Sequence, residues 1–162
     1  MRPALFTVDL PSPGRLSTMA RPRGGDWLED EMTALNGAGV AVLVCALTGP
    51  ELDELGLAEE PERAAAAGLQ FVATPIVDRA VPELAAILPT LRLLAQRLRE
   101  GAHVVIHCRA GTGRASLLAA ALLILNGSDP ETAWGRIEQA RGLAVPDTAE
   151  QREWTMKLLE HA

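Results

Sequence analysis

The chemistry this chain can do gathers around Cys108. The residue ends the apolar run Val104-Val-Ile-His-Cys108 and is followed by Arg109-Ala-Gly-Thr-Gly-Arg114, after which an alanine- and leucine-rich stretch begins. A strand that turns through a glycine-bearing loop into a helix points several backbone N–H groups at one spot, with the positive end of the helix dipole behind them. Such a cradle suits an oxyanion, and phosphate is its natural guest. Arg109, Ala110, Gly111, Thr112 and Gly113 would line it with their amides, and Arg114 would add a guanidinium able to grip two oxygens at once. Gly111 and Gly113 are the positions expected to take positive φ and allow close backbone approach. Helix N-termini and neighbouring cations bring thiol pKa values down to ~3.5–7.5, so the field that holds phosphate would also favour a nucleophilic thiolate. By the chain's own composition, the chance that a cysteine has His before it, Gly at +3 and +5 and Arg at +6 is roughly one in 10⁵. The loop carries no lysine, which excludes a Walker phosphate loop.

A loop of this kind needs a sheet to hold it. Strand-like runs lie at 16–18, 40–47, 69–73 and 104–108, with a shorter one at 5–8. Those at 40–47 and 104–108 are almost wholly apolar, the pattern of strands covered on both faces. Helices are predicted over 26–35, 61–67, 82–100, 114–125, 130–141 and 148–161. The alternation specifies an α/β fold with a central, mostly parallel sheet flanked by helices. Asp129-Pro130 reads as a cap and first helical position, Asp147-Thr-Ala-Glu150 as a capping box, and Asn36-Gly37 and Asn126-Gly127 as helix stops. Without an internal repeat or dividing linker, residues 1–162 read as a single domain.

Composition narrows the partners. With 48% hydrophobic residues in 162, the chain can bury a core, and its longest apolar stretches are about half the ~20 residues of a membrane span. The prolines near the N-terminus interrupt any signal-peptide core, and two cysteines are too few for a disulfide framework, so a cytoplasmic location is expected. A net charge of −6 gives nucleic acid no broad basic footprint, and with no tyrosine and only two phenylalanines a stacking platform for single strands is poorly supplied. One lysine among 15 basic residues, with abundant alanine, points to a GC-rich bacterial gene. The three histidines, His103, His107 and His161, lack the spacing of a metal-ligand set.

His107 to Arg114 resembles the signature of the cysteine-dependent protein phosphatases: Cys, five residues, Arg, with His before the Cys. Thr74-Pro-Ile-Val-Asp-Arg-Ala-Val-Pro82 resembles the general-acid loop of the small dual-specificity branch, in the manner of the cyclin-dependent kinase-associated phosphatases and their bacterial relatives. The order of elements agrees from about residue 16 to the C-terminus. The resemblance implies a dual-specificity phosphatase-like fold and a phosphorylated protein as substrate, with phosphotyrosine and also phosphoserine or phosphothreonine hydrolysed through a phosphocysteine. By the same resemblance the Cys108 thiolate attacks phosphorus, Arg114 and the amides of 109–114 hold the equatorial oxygens, and Asp78 first protonates the leaving oxygen and later activates water. No metal and no cofactor is implied.

The chain departs from the family where a Ser or Thr usually follows the loop arginine to donate to the cysteine sulfur: Ala115 stands there, and Ser116 is turned about 100° away. Slow breakdown of the phosphoenzyme is therefore expected, and the rival reading is a catalytically weak, phosphoprotein-binding module. A sulfurtransferase and an arsenate reductase would also use a reactive cysteine; the latter would need Cys45 as a resolving partner. Cys45 reads instead as core within 40–47, with a regulatory bridge to Cys108 left open. His107 is expected to order the loop while facing away from the cysteine. Glu83 is the reserve acid, Arg79 and Arg109 are substrate contacts or solvated charges, and Arg21, Arg23 and Arg141 are read as solvated. Gln151 either positions the hydrolytic water or lies on a polar helix face.

Overall fold

In a computed structural model the chain is described over residues 4–146 and 148–161. Five strands form one sheet: β1 (Phe6–Thr7), β2 (Arg15–Met19), β3 (Val42–Cys45), β4 (Gln70–Ala73) and β5 (His103–His107), in the order β1-β2-β5-β3-β4. Only the β1–β2 edge pair is antiparallel; the β2–β5, β5–β3 and β3–β4 pairs are parallel. The α/β expectation holds, and β5 lies at the middle with β2 and β3 on its two sides. Every residue of β3 and β5 is buried, which explains the wholly apolar β3 and the apolar centre of β5 between His103 and His107.

The helices are α1 (Leu28–Gly37), α2 (Gly49–Glu54), α3 (Glu60–Ala66), α4 (Leu84–Arg99), α5 (Arg114–Leu125), α6 (Pro130–Arg141) and α7 (Ala149–Lys157). Short 3₁₀ turns at Gly25–Trp27 and Leu158–His161 take up the ends of the predicted 26–35 and 148–161 helices. The sequence reading has no counterpart to α2. Its start is nevertheless a capping box, in which Thr48 and Glu51 satisfy each other's backbone N–H groups around a proline in the first turn. The box predicted at 147–150 falls one residue later, on Thr148 and Gln151; Asp147 lies outside the described residues.

Two cores sandwich the sheet. Val42, Val44, Val104 and Ile106 pack on one side with α4, α5 and residues of α6 and α7, whereas Leu43, Cys45 and Val105 pack on the other with α1 and α3. The alternation is the period-2 pleat, which sends neighbouring side chains to opposite faces. Helix α5 is buried at every position from Arg114 to Ile124, so it runs through the first core instead of lying on its surface. Its N-terminus is thereby fixed at the C-terminal end of β5.

Candidate active site

The parallel strands all end at the same edge, where ligands of open α/β sheets bind. There the 108–113 loop leaves β5, the 46–48 segment leads from β3 to α2, and the 74–83 segment leads from β4 to α4. Cys108 is 3% exposed and belongs to the core cluster of the α5 face. The backbone N–H of Gly111 donates to its Sγ at 3.3 Å. The turn that delivers this amide needs glycine twice over, since φ at Gly111 is +81° and a Cβ there would sit 2.7 Å from the Met19 carbonyl oxygen. Gly113 departs from the expectation of positive φ: at −100° it caps α5 in a conformation open to other residues. A further backbone bond, Arg21 N–H to the Arg109 carbonyl, fastens the loop to the segment after β2.

Arg114 is buried and held along one side. Its Nη1 donates to Glu51 Oε1 at 2.6 Å and to the Ile76 carbonyl at 2.8 Å, and its Nη2 donates to Glu51 Oε2 at 3.0 Å. Nη2 also lies 3.4 Å from Asp78 Oδ1. The Nε finds no partner among the described residues, which leaves the Nε edge for an anion. Hydrogen bonds from Arg114 hold the Glu51 carboxyl down at about 2, against the opposing push of burial and with help from the Thr48 N–H. The guanidinium is thus oriented by a carboxylate that stays charged throughout the physiological range. Glu51 escaped the sequence reading, although the Thr48-Gly-Pro-Glu51 box just after β3 was a legible sign of a helix at this edge.

The residues read as alternatives separate cleanly. Arg109 turns away to Glu54 at 3.0 Å and Glu51 at 3.5 Å. Glu83 caps α4 by accepting the Ala86 N–H at 2.7 Å, so it is spent as a reserve acid. Arg141, expected in solvent, stacks 4.1 Å from the Phe6 ring centre and donates to the Ala110 carbonyl at 3.3 Å, bracing the loop. Arg23 is likewise engaged, with Glu31 at 3.0 Å and the Trp27 ring at 4.3 Å. Arg21 donates to the Pro22 carbonyl at 3.3 Å, and Arg79 is exposed. Gln151, one of whose readings was a polar helix face, is fully buried. Ser116 Oγ is buried inside α5 with no partner among the described residues, as the turn of the helix requires.

Directly behind the loop lies a second cluster. His107 faces away from Cys108 as expected, and its Nε2 meets Glu60 Oε2 at 2.5 Å while its Nδ1 lies 3.3 Å from the Cys108 carbonyl. Cys45, paired with His107 across β3 and β5, shares this face, so the pleat aims its thiol away from the core that holds Cys108 and a bridge between the two is not built into the sheet. Cys45, Glu60 and His107 bring ligand-type atoms within 4.8 Å of one another. The His–Glu separation is that of a shared proton; two ligands of one zinc ion would stand about 3.3 Å apart. Burial alone would push His107 down, but hydrogen bonding with Cys45 and Glu60 outweighs it and raises the imidazole to about 10. The pairing therefore favours the charged imidazole on the face of β5 behind the 108–113 loop.

A groove of about 670 Å³ opens at the other end of α5, lined by Leu10, Pro13, Asn126 and Asp129 among others. At 1.5 Å per residue, the length of α5 puts it ~18 Å from Arg114.

Comparison with known proteins agrees with this geometry. The family model described as Swiss Army Knife protein, DSP-PTPase phosphatase domain, matches residues 7–158. The chain belongs to that family. Kinase associated phosphatase, solved with its catalytic-site cysteine replaced by serine, is similar over 99% of this chain and 96% of its own, with a TM-score of 0.85 and 20% identity. Tk-PTP in its active form is similar over 98% and 97%, with a TM-score of 0.77 and 27% identity. PTPMT1 in complex with PI(5)P is similar over 90% of each chain, with a TM-score of 0.73 and 20% identity. No curated protein sequence matches the chain. The dual-specificity phosphatase-type fold expected from the cysteine loop is thus the fold observed. Among the described residues of this phosphatase-family chain, no helix is long and apolar enough to cross a membrane.

Proposed function

We propose that the chain is a single phosphatase domain, residues 1–162, that hydrolyses phosphate monoesters on proteins through a phosphocysteine. The observation that carries this reading is Arg114: buried, gripped along one side by Glu51 and with its Nε unpaired among the described residues, near a cysteine whose sulfur accepts a backbone amide. In the first step Cys108 Sγ attacks phosphorus, the bond from phosphorus to the leaving oxygen breaks, and Asp78 gives that oxygen its proton. Arg114 and the amides of Arg109, Ala110, Gly111, Thr112 and Gly113 hold the equatorial oxygens. Water then attacks the phosphocysteine and passes a proton to the Asp78 carboxylate, releasing phosphate and the thiolate. Neither step calls on a metal or cofactor.

A phosphoprotein is favoured over a phosphoinositide because the loop has no spare cation. Arg109, the only other charged residue in it before Arg114, is engaged by Glu54 and Glu51. Phosphotyrosine, phosphoserine and phosphothreonine all meet the chemistry of the cradle. The rival, a phosphoprotein-binding module of low turnover, is favoured by one feature: no hydroxyl follows Arg114 to assist departure from sulfur. Rapid-mixing hydrolysis of 4-nitrophenyl phosphate by wild type and Cys108→Ser separates the two. A product burst followed by slow turnover, absent in the variant, is expected; binding of the ester without release of product by either protein would make the binding module the better reading.

A further inference from the structure

The segment that carries Asp78 is fixed from both sides by its own backbone. Asp78 is 57% exposed, so packing does not hold its side chain, and its position depends on the chain to either side. Two residues before it, the Ile76 carbonyl accepts from Arg114 Nη1 at 2.8 Å. Two residues after it, the Ala80 carbonyl accepts from Gln151 Nε2 at 3.2 Å. Between these anchors the chain makes a tight turn closed by Ala80 N–H to the Val77 carbonyl, and Arg79 adopts φ +66°, a left-handed conformation that a side chain bearing a Cβ disfavours. A strained turn persists only where its surroundings over-determine it.

Gln151 is suited to do this. It is fully buried, and its Oε1 accepts the Thr148 N–H at 3.3 Å while its own N–H donates to Thr148 Oγ1 at 3.1 Å. The bond from the Thr148 backbone N–H to Oε1 fixes the amide so that its NH₂ faces Ala80. We propose that Gln151 is a positioning residue for the general acid: it clamps the Ala80 carbonyl to α7 and so holds Asp78 over the Arg114 end of the cradle, instead of orienting the hydrolytic water. The proposal rests on the phosphatase reading given above. It divides the work of the two steps, because the clamp matters when a leaving oxygen needs a proton and a water-orienting amide would matter only afterwards.

The dependence on leaving group tests it. With enzyme in excess over ester, release of the phenol reports phosphorylation of Cys108 alone, and phenyl phosphate needs an acid far more than 4-nitrophenyl phosphate does. Gln151→Glu keeps the acceptor for Thr148 and removes the donor to Ala80; Gln151→Met removes the donor without adding charge, and serves if the first variant does not fold. Both are expected to slow phenol release from phenyl phosphate by roughly 10- to 100-fold, the cost of misplacing a catalytic group by ~1 Å, and to change 4-nitrophenol release less than about threefold. Thr148→Val, which loosens the same helix start without touching Ala80, should leave the ratio of the two rates as in wild type. Equal losses on both esters, or a ratio shifted as much by Thr148→Val, would reduce Gln151 to a structural residue and overturn the clamp. A loss confined to phosphoenzyme breakdown would restore the water-orienting role and also overturn it. If wild type itself releases no phenol in a Cys108-dependent step, the phosphatase reading falls and the clamp with it.

Discussion

Around the C-terminal end of β5, where His107 and Cys108 are neighbours in sequence, stand two sets of the same three kinds of group: a thiol, a cation and a carboxylate. Toward α5 they are Cys108, Arg114 and Asp78; toward α3 they are Cys45, His107 and Glu60. The first set meets the loop end of α5, with Asp78 largely exposed and the Nε edge of Arg114 unpaired among the described residues. The second is closed, with the side chains of His107 and Glu60 at 0% exposure and in direct contact. The same three kinds of group thus stand at the loop end of α5 with a carboxylate open to solvent in one case, and form an internal pair where the sheet and α3 seal them in the other.

The strongest way to break this contrast is to interchange the two thiols' fates. Cys108→Ser should cut single-turnover phenol release by on the order of 10³-fold or more, as loss of a nucleophile does, while Cys45→Ser should leave it within about threefold of wild type and lower the melting temperature instead. Comparable losses in both would make the second cluster part of the reaction centre. Next in size, Glu60→Ala leaves a buried imidazolium without its carboxylate and should cost about 3 kcal/mol in denaturant unfolding; an unchanged midpoint would mean that the pair carries no stability.

The two sets should also fail at opposite ends of the pH range. His107 is raised to about 10 from an ordinary 6.5, so the stability it contributes is complete below pH 6.5 and is lost as pH rises through 10. Glu51, which holds the Arg114 of the first set, is lowered to about 2 from 4.5, so its contribution is complete above pH 4.5 and is lost as pH falls toward 2. Thermal melts across pH should therefore show Glu60→Ala flattening the alkaline limb and Glu51→Ala flattening the acid limb. An exchange of those effects would contradict both assignments. The smallest expected effect is a sharpening: Ala115→Ser supplies a hydroxyl toward Cys108, and one hydrogen bond of about 1 kcal/mol should speed phosphoenzyme breakdown about fivefold. A steady-state rate that does not move would show that breakdown does not wait on that hydroxyl.

Much of the reactive half was legible in the sequence because its parts are contiguous. A strand, a glycine-bearing loop and a helix start lie within Val104 to Ser116, so local geometry alone brings Cys108, the amides and Arg114 together. The strand runs and most helix positions were legible for the same reason, since apolar pattern and caps are local signals. Helix α2 was harder to see, being six residues long and without an apolar stripe, and Glu51 went unnoticed with it.

Other roles were settled by contacts across long separations. Glu51 reaches Arg114 across 63 residues, Glu60 reaches His107 across 47, and Gln151 reaches Ala80 across 71. Glu60 stands in the acidic run Glu59-Glu60-Pro61-Glu62, which by itself reads as a solvated helix start. Nothing local distinguishes it from its neighbours until α3 packs against the sheet and turns that one carboxylate inward. The sequence by itself determined the α/β architecture and the strand, loop and helix start that carry Cys108 and Arg114, because both follow from short-range pattern and backbone conformation. Tertiary structure alone decided which carboxylate orients the arginine, which one pairs with the histidine and which amide faces Ala80, because a side chain's partner is chosen by packing between elements that the chain brings together only when folded.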